Sequence, residues 1–232
     1  MLEQLQNELQ TLACPKQAKL VTRYFKIGPG EYAEHDEFIG IKTPLLRKLA
    51  KTYRSLKASE VSCLLTSKVH EKRLLALFIL LEKYKRLESK KDKAKIYNFY
   101  VRHLSHINNW DLVDNSAPHI VGDYLYDNDR SMLVQWTLSD NLWYRRIAIV
   151  STLHFIRNLD FEYTLILAEI LLQDKEDLLH KAIGWMLREI GKHDVQCLEN
   201  FLTEHYQQIP RTTLRYAIEH FTEKKRQRFL TL

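Results

Sequence analysis

Apolar residues recur at three- and four-residue spacing along almost the whole chain, which is the signature of amphipathic helices. Leu45, Leu49 and Tyr53 form one stripe after Thr43-Pro44, a pair that reads as an N-cap followed by proline at the first helical position. Leu74, Leu77, Phe78 and Leu81 form a second. Leu142, Ile147, Ile149, Leu153 and Ile156 predict one helix, capped by Ser139-Asp140. Ile183, Met186, Leu187 and Ile190 predict another, ended by Gly191. No convincing run of strict alternation bounded by turn residues is present. The expected fold is all-α, with about twelve to fourteen helices and short connections.

Two stretches interrupt the pattern. Residues 26–39 (Lys-Ile-Gly-Pro-Gly-Glu-Tyr-Ala-Glu-His-Asp-Glu-Phe-Ile) read as a loop, and residues 83–95, densely charged with mixed sign, as a solvated helix end and linker. Within the helical pattern a small element repeats: a basic residue, then alanine with a flanking aliphatic. It occurs at Arg73/Ala76, Arg146/Ala148, Lys181/Ala182 and Arg215/Ala217. The alanines are 72, 34 and 35 residues apart, and 72 is twice 36. The missing unit falls near residue 112, where Trp110-Asp-Leu-Val-Asp114 places carboxylates in the neighbourhood of the expected cation. A period in the mid-thirties built from helix pairs predicts an α-α superhelix, a HEAT-like repeat solenoid forming a single domain over residues 1–232. Small alanines would sit at the packing seams. The recurring cation would line one face, making a concave basic groove able to track a phosphate backbone.

Composition narrows the picture. Six glycines and five prolines in 232 residues are too few for a turn-rich sandwich or barrel. The longest apolar run, Leu74 to Leu81, is too short to cross a bilayer. The opening Met-Leu-Glu-Gln-Leu-Gln-Asn-Glu is polar and periodic, unlike a signal or transit peptide. Cys14, Cys63 and Cys197 are odd in number and widely separated. They make neither a disulfide scaffold nor a cysteine-rich zinc module, and a reducing cytoplasm is the expected location. The net charge of +6 suits a polyanionic partner, nucleic acid above all, and equally suits a merely soluble basic protein.

The chemistry concentrates in the anomalous repeat. Trp110 and Asp114 are one helical turn apart and share a face, as do Lys181, Trp185 and Arg188. Arg145 and Arg146 open the intervening repeat helix. Stacked in register, these residues would converge on one groove. A carboxylate among cations is costly for an anionic ligand unless it performs a specific task. Stabilising the oxocarbenium character that builds on a sugar as an N-glycosidic bond breaks is such a task, and positioning water is another. Tryptophan faces suit an electron-poor cationic group. Each residue also has a plain structural reading. Trp110 and Trp185 serve equally as core aromatics, and Trp136 and Trp143 read as core. Asp111 and Asp114 serve equally as helix caps or partners of Arg145 or Arg146, with Asp114 the stronger catalytic candidate because it shares Trp110's face. His103 and His106 have a metal-ligand spacing but no third ligand nearby, so no metal site is expected. Gly28-Pro-Gly30 lacks the Gly-Lys-Ser/Thr of a phosphate loop and reads as a turn, and Ser116 with His119 is too generic for a nucleophile–base pair.

At these residues the chain resembles the AlkD-type DNA-alkylation-repair glycosylases, which are HEAT-like repeat proteins. The resemblance rests on Phe38-Ile-Gly-Ile-Lys-Thr-Pro-Leu-Leu-Arg47, Asn109-Trp-Asp-Leu-Val-Asp114, Asn141-Leu-Trp-Tyr-Arg-Arg-Ile-Ala148, His180-Lys-Ala-Ile-Gly-Trp-Met-Leu-Arg-Glu189 and Ile209-Pro-Arg-Thr-Thr-Leu-Arg-Tyr-Ala-Ile218. It implies monofunctional hydrolysis of cationic N3- and N7-alkylpurines in duplex DNA, leaving an abasic site, with the lesion handled from the deoxyribose side rather than deeply flipped. It implies no cofactor, no membrane, a monomer, and a cytoplasmic protein found on the nucleoid when bound to DNA. By the same resemblance Asp114 matches the catalytic carboxylate, Trp110 and Trp185 the aromatics that contact the lesion nucleotide, Arg146 the arginine beside them, and Tyr24 an N-terminal aromatic of the site. Candidate DNA backbone contacts are Lys42, Arg47, Arg145, Lys181, Arg188, Arg211 and Arg215. The chain departs from the family in its longer, acidic segment 28–36, which is expected to alter substrate choice or oppose DNA locally. The alternatives are a non-catalytic HEAT-repeat module for damaged or branched DNA and a protein-interaction scaffold.

Overall fold

The computed structural model describes residues 1–231, which divide into two compact units, Met1–Ser116 and Ala117–Leu232. The first carries α1 (Leu2–Leu12), α2 (Pro15–Val21), α3 (Thr43–Thr52), α4 (Ala58–Leu65), α5 (His70–Tyr84), α6 (Lys90–Arg102) and α7 (Trp110–Asp114). The second carries α8 (Asp123–Tyr126), α9 (Ser131–Thr137), α10 (Leu142–Ser151), α11 (Leu153–Arg157), α12 (Glu162–Leu171), α13 (Asp177–His193), α14 (Val195–Glu204), α15 (Arg211–Ala217) and α16 (Glu223–Thr231). Among the described residues there is no strand, only an isolated bridge between Glu37 and Val69. The chain is all-α, as its periodicity predicts. No helix among the described residues is long and apolar enough to cross a membrane.

The core of the first unit is α5, packed between α3 and α4. Its run from Leu74 to Leu81 is buried on every side, not along one stripe. In α3 the buried residues are Leu46, Leu49 and Ala50, with Tyr53 buried at the C-cap, so Leu46 replaces the expected Leu45, which stays exposed. Thr43 lies inside α3 rather than capping it, because Lys42 takes the extended cap conformation. Residues 26–39 form the expected loop. Residues 83–95 divide at the linker, and Lys90 already belongs to α6, whose N-cap Ser89 accepts from the Asp92 amide.

In the second unit α13 is the central helix, packed against α10, α12, α14 and α15. Gly191 lies inside α13, where the Leu198 side chain packs against it, and the helix runs on to His193. The stripe from Leu142 to Ile156 is two helices. Ser151 and Thr152 donate their hydroxyls back to the Ile147 and Ile149 carbonyls, a local bonding pattern that bends or interrupts helices. Asn141, not Ser139 or Asp140, caps α10, its side chain accepting from the Trp143 amide at 2.8 Å.

The alanine seam is as the repeat predicts: Ala76, Ala148, Ala182 and Ala217 are all buried. The recurring cation divides. Arg73 and Arg146 are only 3% and 5% exposed, whereas Lys181 is half-buried and Arg215 exposed. Each of the buried two spends donors on carbonyl groups: Arg73 on those of Ser67 and Lys68, Arg146 on that of Leu178.

Gly184 shows how close the α13–α15 approach is. A Cβ there would lie 2.5 Å from the Thr213 carbonyl oxygen and 2.5 Å from the Tyr216 Cβ. Alanine normally favours a helix over glycine by about 1 kcal/mol. Here overpacking, typically about 1–3 kcal/mol, opposes it. Gly184→Ala is expected to lower the urea midpoint of unfolding; an unchanged or raised midpoint would show that the two helices can separate freely.

Candidate active site

Helix α7 is only five residues long and depends on its neighbours for its position. Asn109 caps it, accepting from the Trp110 amide at 2.8 Å, and Asn115 closes it, donating to the Asp111 carbonyl at 2.8 Å. Leu112 and Val113 are buried, whereas Trp110 and Asp114 are half-buried and share the remaining face. Asp114 faces the neighbourhood of the buried Tyr100, whose hydroxyl meets Ser116 at 2.9 Å. Burial, opposed by that hydrogen bond and assisted by the Asp114 charge, raises the Tyr100 phenol well above its ordinary range.

An aromatic pile supports the Trp110 indole. Phe25 stacks on it at 5.3 Å between ring centroids, with an interplanar angle of 18°. Phe25 in turn meets Phe38 at 5.1 Å and His70 at 4.8 Å, and Phe38 stacks on His70 at 4.9 Å. Phe25 is therefore the residue against Trp110. Its neighbour Tyr24 is 77% exposed and points away from the core.

Beside the pile lies a buried charge network. The two nitrogens of His70 donate to different carboxylates, Nε2 to Asp111 at 2.8 Å and Nδ1 to Asp36 at 3.3 Å. Asp36 also accepts from Arg73 at 2.7 Å and from Asn109 at 3.3 Å. One carboxylate thus ties the loop before α3 to α5 and to the cap of α7. Burial disfavours the charged form of His70, but the hydrogen bonds to Asp111 and Asp36 outweigh it and push the pKa up to about 9. Burial likewise opposes ionisation of Asp36, and the His70 bond and the Arg73 charge overcome it, leaving its pKa below the ordinary value. Among the described residues no group of three or more His, Cys, Asp and Glu is placed to hold a metal ion, this cluster included. Both nitrogens of His103 are engaged, by Ser62 and the Phe99 carbonyl.

Of the carboxylates in the acidic segment 28–36 only that of Asp36 is buried, while Glu31 and Glu34 stay exposed and bond to amides of their own loop. Glu31 accepts from the Gly28 amide at 2.6 Å, Glu34 from the Gly30 amide at 2.9 Å, and Asp36 belongs to the network. Glu71, 4% exposed, holds the far end of the loop by accepting from the Ile39 and Gly40 amides. Gly40 has φ of +77°, and a side chain there would strike the backbone of α2. Lys42 is exposed. Arg47 lies 4.1 Å over the Phe78 ring and donates to Asn115 at 2.6 Å, bracing the end of α7. Lys51 and Lys85 share its cavity of about 190 Å³, two cations that sequence reasoning did not single out.

In the second unit Trp185 is half-buried, its indole donating to Glu189 at 3.1 Å. Trp136 and Trp143 are core residues, as expected. Most of the proposed cations there are engaged internally. Arg145 grips Asp174 from Nε at 2.6 Å and donates to the Ser139 and Asp140 carbonyls. Arg188 pairs with Glu219 and Lys181 with Asp177 at 2.7 Å. Arg215 is exposed, and so is Arg211, which donates to the Leu230 carbonyl at 3.1 Å.

A family model described as a DNA alkylation repair enzyme matches residues 5–221, a span that runs through both units. A solved structure titled "Predicted DNA alkylation repair enzyme from Enterococcus faecalis" superimposes with a TM-score of 0.69 at 18% identity, covering 91% of this chain and 97% of that one. At this identity the likeness speaks for the fold. No curated protein sequence matches the chain.

The His70 network makes stability depend on pH with a definite sign. Its folded pKa lies above the ordinary 6.5, so its contribution is complete below 6.5 and is lost as pH rises through about 9. The wild-type urea midpoint is expected to fall across that window. His70→Gln should start lower at pH 6.5 and lose this decline; parallel curves for the two proteins would remove His70 as its source.

Proposed function

The chain belongs to the DNA alkylation repair enzyme family, and from that membership we propose that it is a monofunctional DNA glycosylase for cationic alkylpurines. Its substrates in this reading are N3-methyladenine and N7-methylguanine in duplex DNA, and its product is an abasic site. The observation that carries the reading is the half-buried Trp110–Asp114 pair on one short face, held by a buried cap, stack and ion network. A scaffold has no need to fix an indole and a carboxylate one turn apart so firmly.

The chemistry follows from those two groups. The base leaves as a neutral purine because the lesion already carries positive charge, so no general acid is required. Charge moves to the deoxyribose as the bond lengthens. Asp114 stabilises that charge in the transition state more than in the ground state, and it orients the attacking water on the sugar. Trp110 and Trp185 pack on the lesion nucleotide, with Arg146 and Tyr24 as further contacts. Phosphate contacts fall to the exposed cations Lys42, Arg47, Arg211 and Arg215. Lys181 and Arg188 would reach phosphate by exchanging their present carboxylate partners. The protein acts as a monomer without a cofactor, in the cytoplasm and on the nucleoid.

The test is abasic-site formation on a duplex carrying one N7-methylguanine or one N3-methyladenine, read as strand cleavage after heat or alkali. Asp114→Asn should lose at least about a hundredfold in single-turnover rate, the scale on which transition-state charge stabilisation is removed. Its DNA affinity should hold or rise, since a negative charge has left an anionic interface. Binding should weaken with salt, with a log–log slope of about −0.9 per phosphate contacted. Salt-sensitive binding without any excess cleavage would replace this reading with a non-catalytic DNA-binding module.

A further inference from the structure

The His70 ring is 2% exposed, and a carboxylate oxygen lies against each of its nitrogens. An ionised carboxylate only accepts hydrogen bonds, so both nitrogens must carry protons for both contacts to be bonds. The two acceptors come from different places. Asp36 ends the acidic loop, and Asp111 sits on α7 between Trp110 and Asp114. Phe25 and Phe38 cover the ring, and both belong to the same loop region that also supplies the stack beneath Trp110.

We infer that His70 is a positioning residue: as a doubly donating imidazolium bridging Asp36 and Asp111, it latches the helix that carries Trp110 and Asp114 to the loop and to α5. This rests on the reading of Trp110 and Asp114 as the excision machinery. The acidic segment that departs from the family thereby acquires a task, because it delivers Asp36 to the latch.

Three features tie the position of α7 to the latch. Asp111 Oδ1 is buried without a hydrogen-bond partner, so the polar anchoring of that side chain runs through Oδ2 and His70. The cap residue Asn109 is held by the same Asp36 oxygen that accepts from His70. The helix itself has too few turns to hold its own geometry. The charged groups facing His70 are Asp36, Asp111 and Arg73, and the imidazolium they surround has its pKa pushed up to about 9 by the two carboxylates. Loss of the Nε2 proton leaves the Asp111 carboxylate without its donor; loss of the Nδ1 proton takes from Asp36 one of three donors, Arg73 and Asn109 remaining.

The experiment uses the full chain labelled with 5-fluorotryptophan, with the Trp110 resonance assigned by its absence from Trp110→Phe. Wild type, His70→Gln and Asp111→Asn are compared by ¹⁹F NMR and by single-turnover excision of N3-methyladenine from pH 6.5 to 10. In wild type the Trp110 resonance should shift with an alkaline midpoint, and the excision rate should fall in step by on the order of tenfold, the scale expected of a sub-ångström misplacement. His70→Gln should be slower by a similar factor at pH 7 and flat above it, with DNA affinity within about twofold of wild type. Asp111→Asn keeps an acceptor but loses its charge, so it should move both midpoints toward neutrality. A purely structural role would not move a midpoint. If the resonance behaves this way but wild type excises nothing, the latch stands and the glycosylase reading falls. A wild-type Trp110 resonance that stays flat across the range, or a midpoint unmoved by Asp111→Asn, overturns the latch whatever the excision rates are.

Discussion

A histidine that donates to two carboxylates has to carry charge, and a buried charge needs charges of opposite sign beside it. That pair of requirements organises the first unit around His70. Asp36 from a loop and Asp111 from α7 bond to it, and Arg73 from α5 and Asn109 from the cap before α7 bond in turn to Asp36. The formal charges of Asp36, Asp111, His70 and Arg73 cancel, which is how the cluster tolerates burial. Breaking one member is more damaging than never having had the set, because the remaining charges stay desolvated. The network therefore serves less as a source of stability than as a device for specifying one arrangement of a loop and a five-residue helix that could not specify it alone.

Local signals in the chain report what is local in the structure. The all-helical class, the alanine seam and the position of the loop depend on spacing and side-chain size, and each could be read directly. Helix ends were less legible. Asn141 caps α10 where Ser139-Asp140 was expected, and Gly191 lies inside α13, because a cap is decided by which side chain reaches a free amide and a glycine by what packs against it. Residues joined over long sequence distances left no signal at all. Asp36 and Asp111 are far apart in the chain, and nothing in the neighbourhood of His70 marks it as their common partner. Phe25 carried a faint signal, as the neighbour of a singled-out aromatic. Which of Tyr24 and Phe25 faces inward is settled by the turn after α2, and that turn is not written in periodicity.

The repeat illustrates the same limit from the other side. A cation recurring at one position suggests an exposed basic stripe, yet Arg73 and Arg146 are buried and bonded to carbonyl groups. A long guanidinium near a packing seam can reach backbone carbonyls of neighbouring segments, and five fixed donors suit it to do so. Periodicity reports where a side chain starts, not where its charge ends. Arg145 makes the same point, since its donors close the connection to Asp174 and the turn before α10.

This has a consequence for how a net charge of +6 is to be counted. Cations consumed in buried pairs contribute little field at the surface, because their carboxylate partners cancel them at short range. Arg73 and Arg145 are in that position. The surface excess must then come from exposed residues, of which Lys42, Arg47, Arg211 and Arg215 are examples. Among the loop carboxylates Asp36 works in the same direction, buried and paired with His70 and Arg73, whereas Glu31 and Glu34 stay exposed and keep their charges at the surface. Burial and pairing, not the tally of charged residues, decide which parts of this chain an anionic partner would encounter.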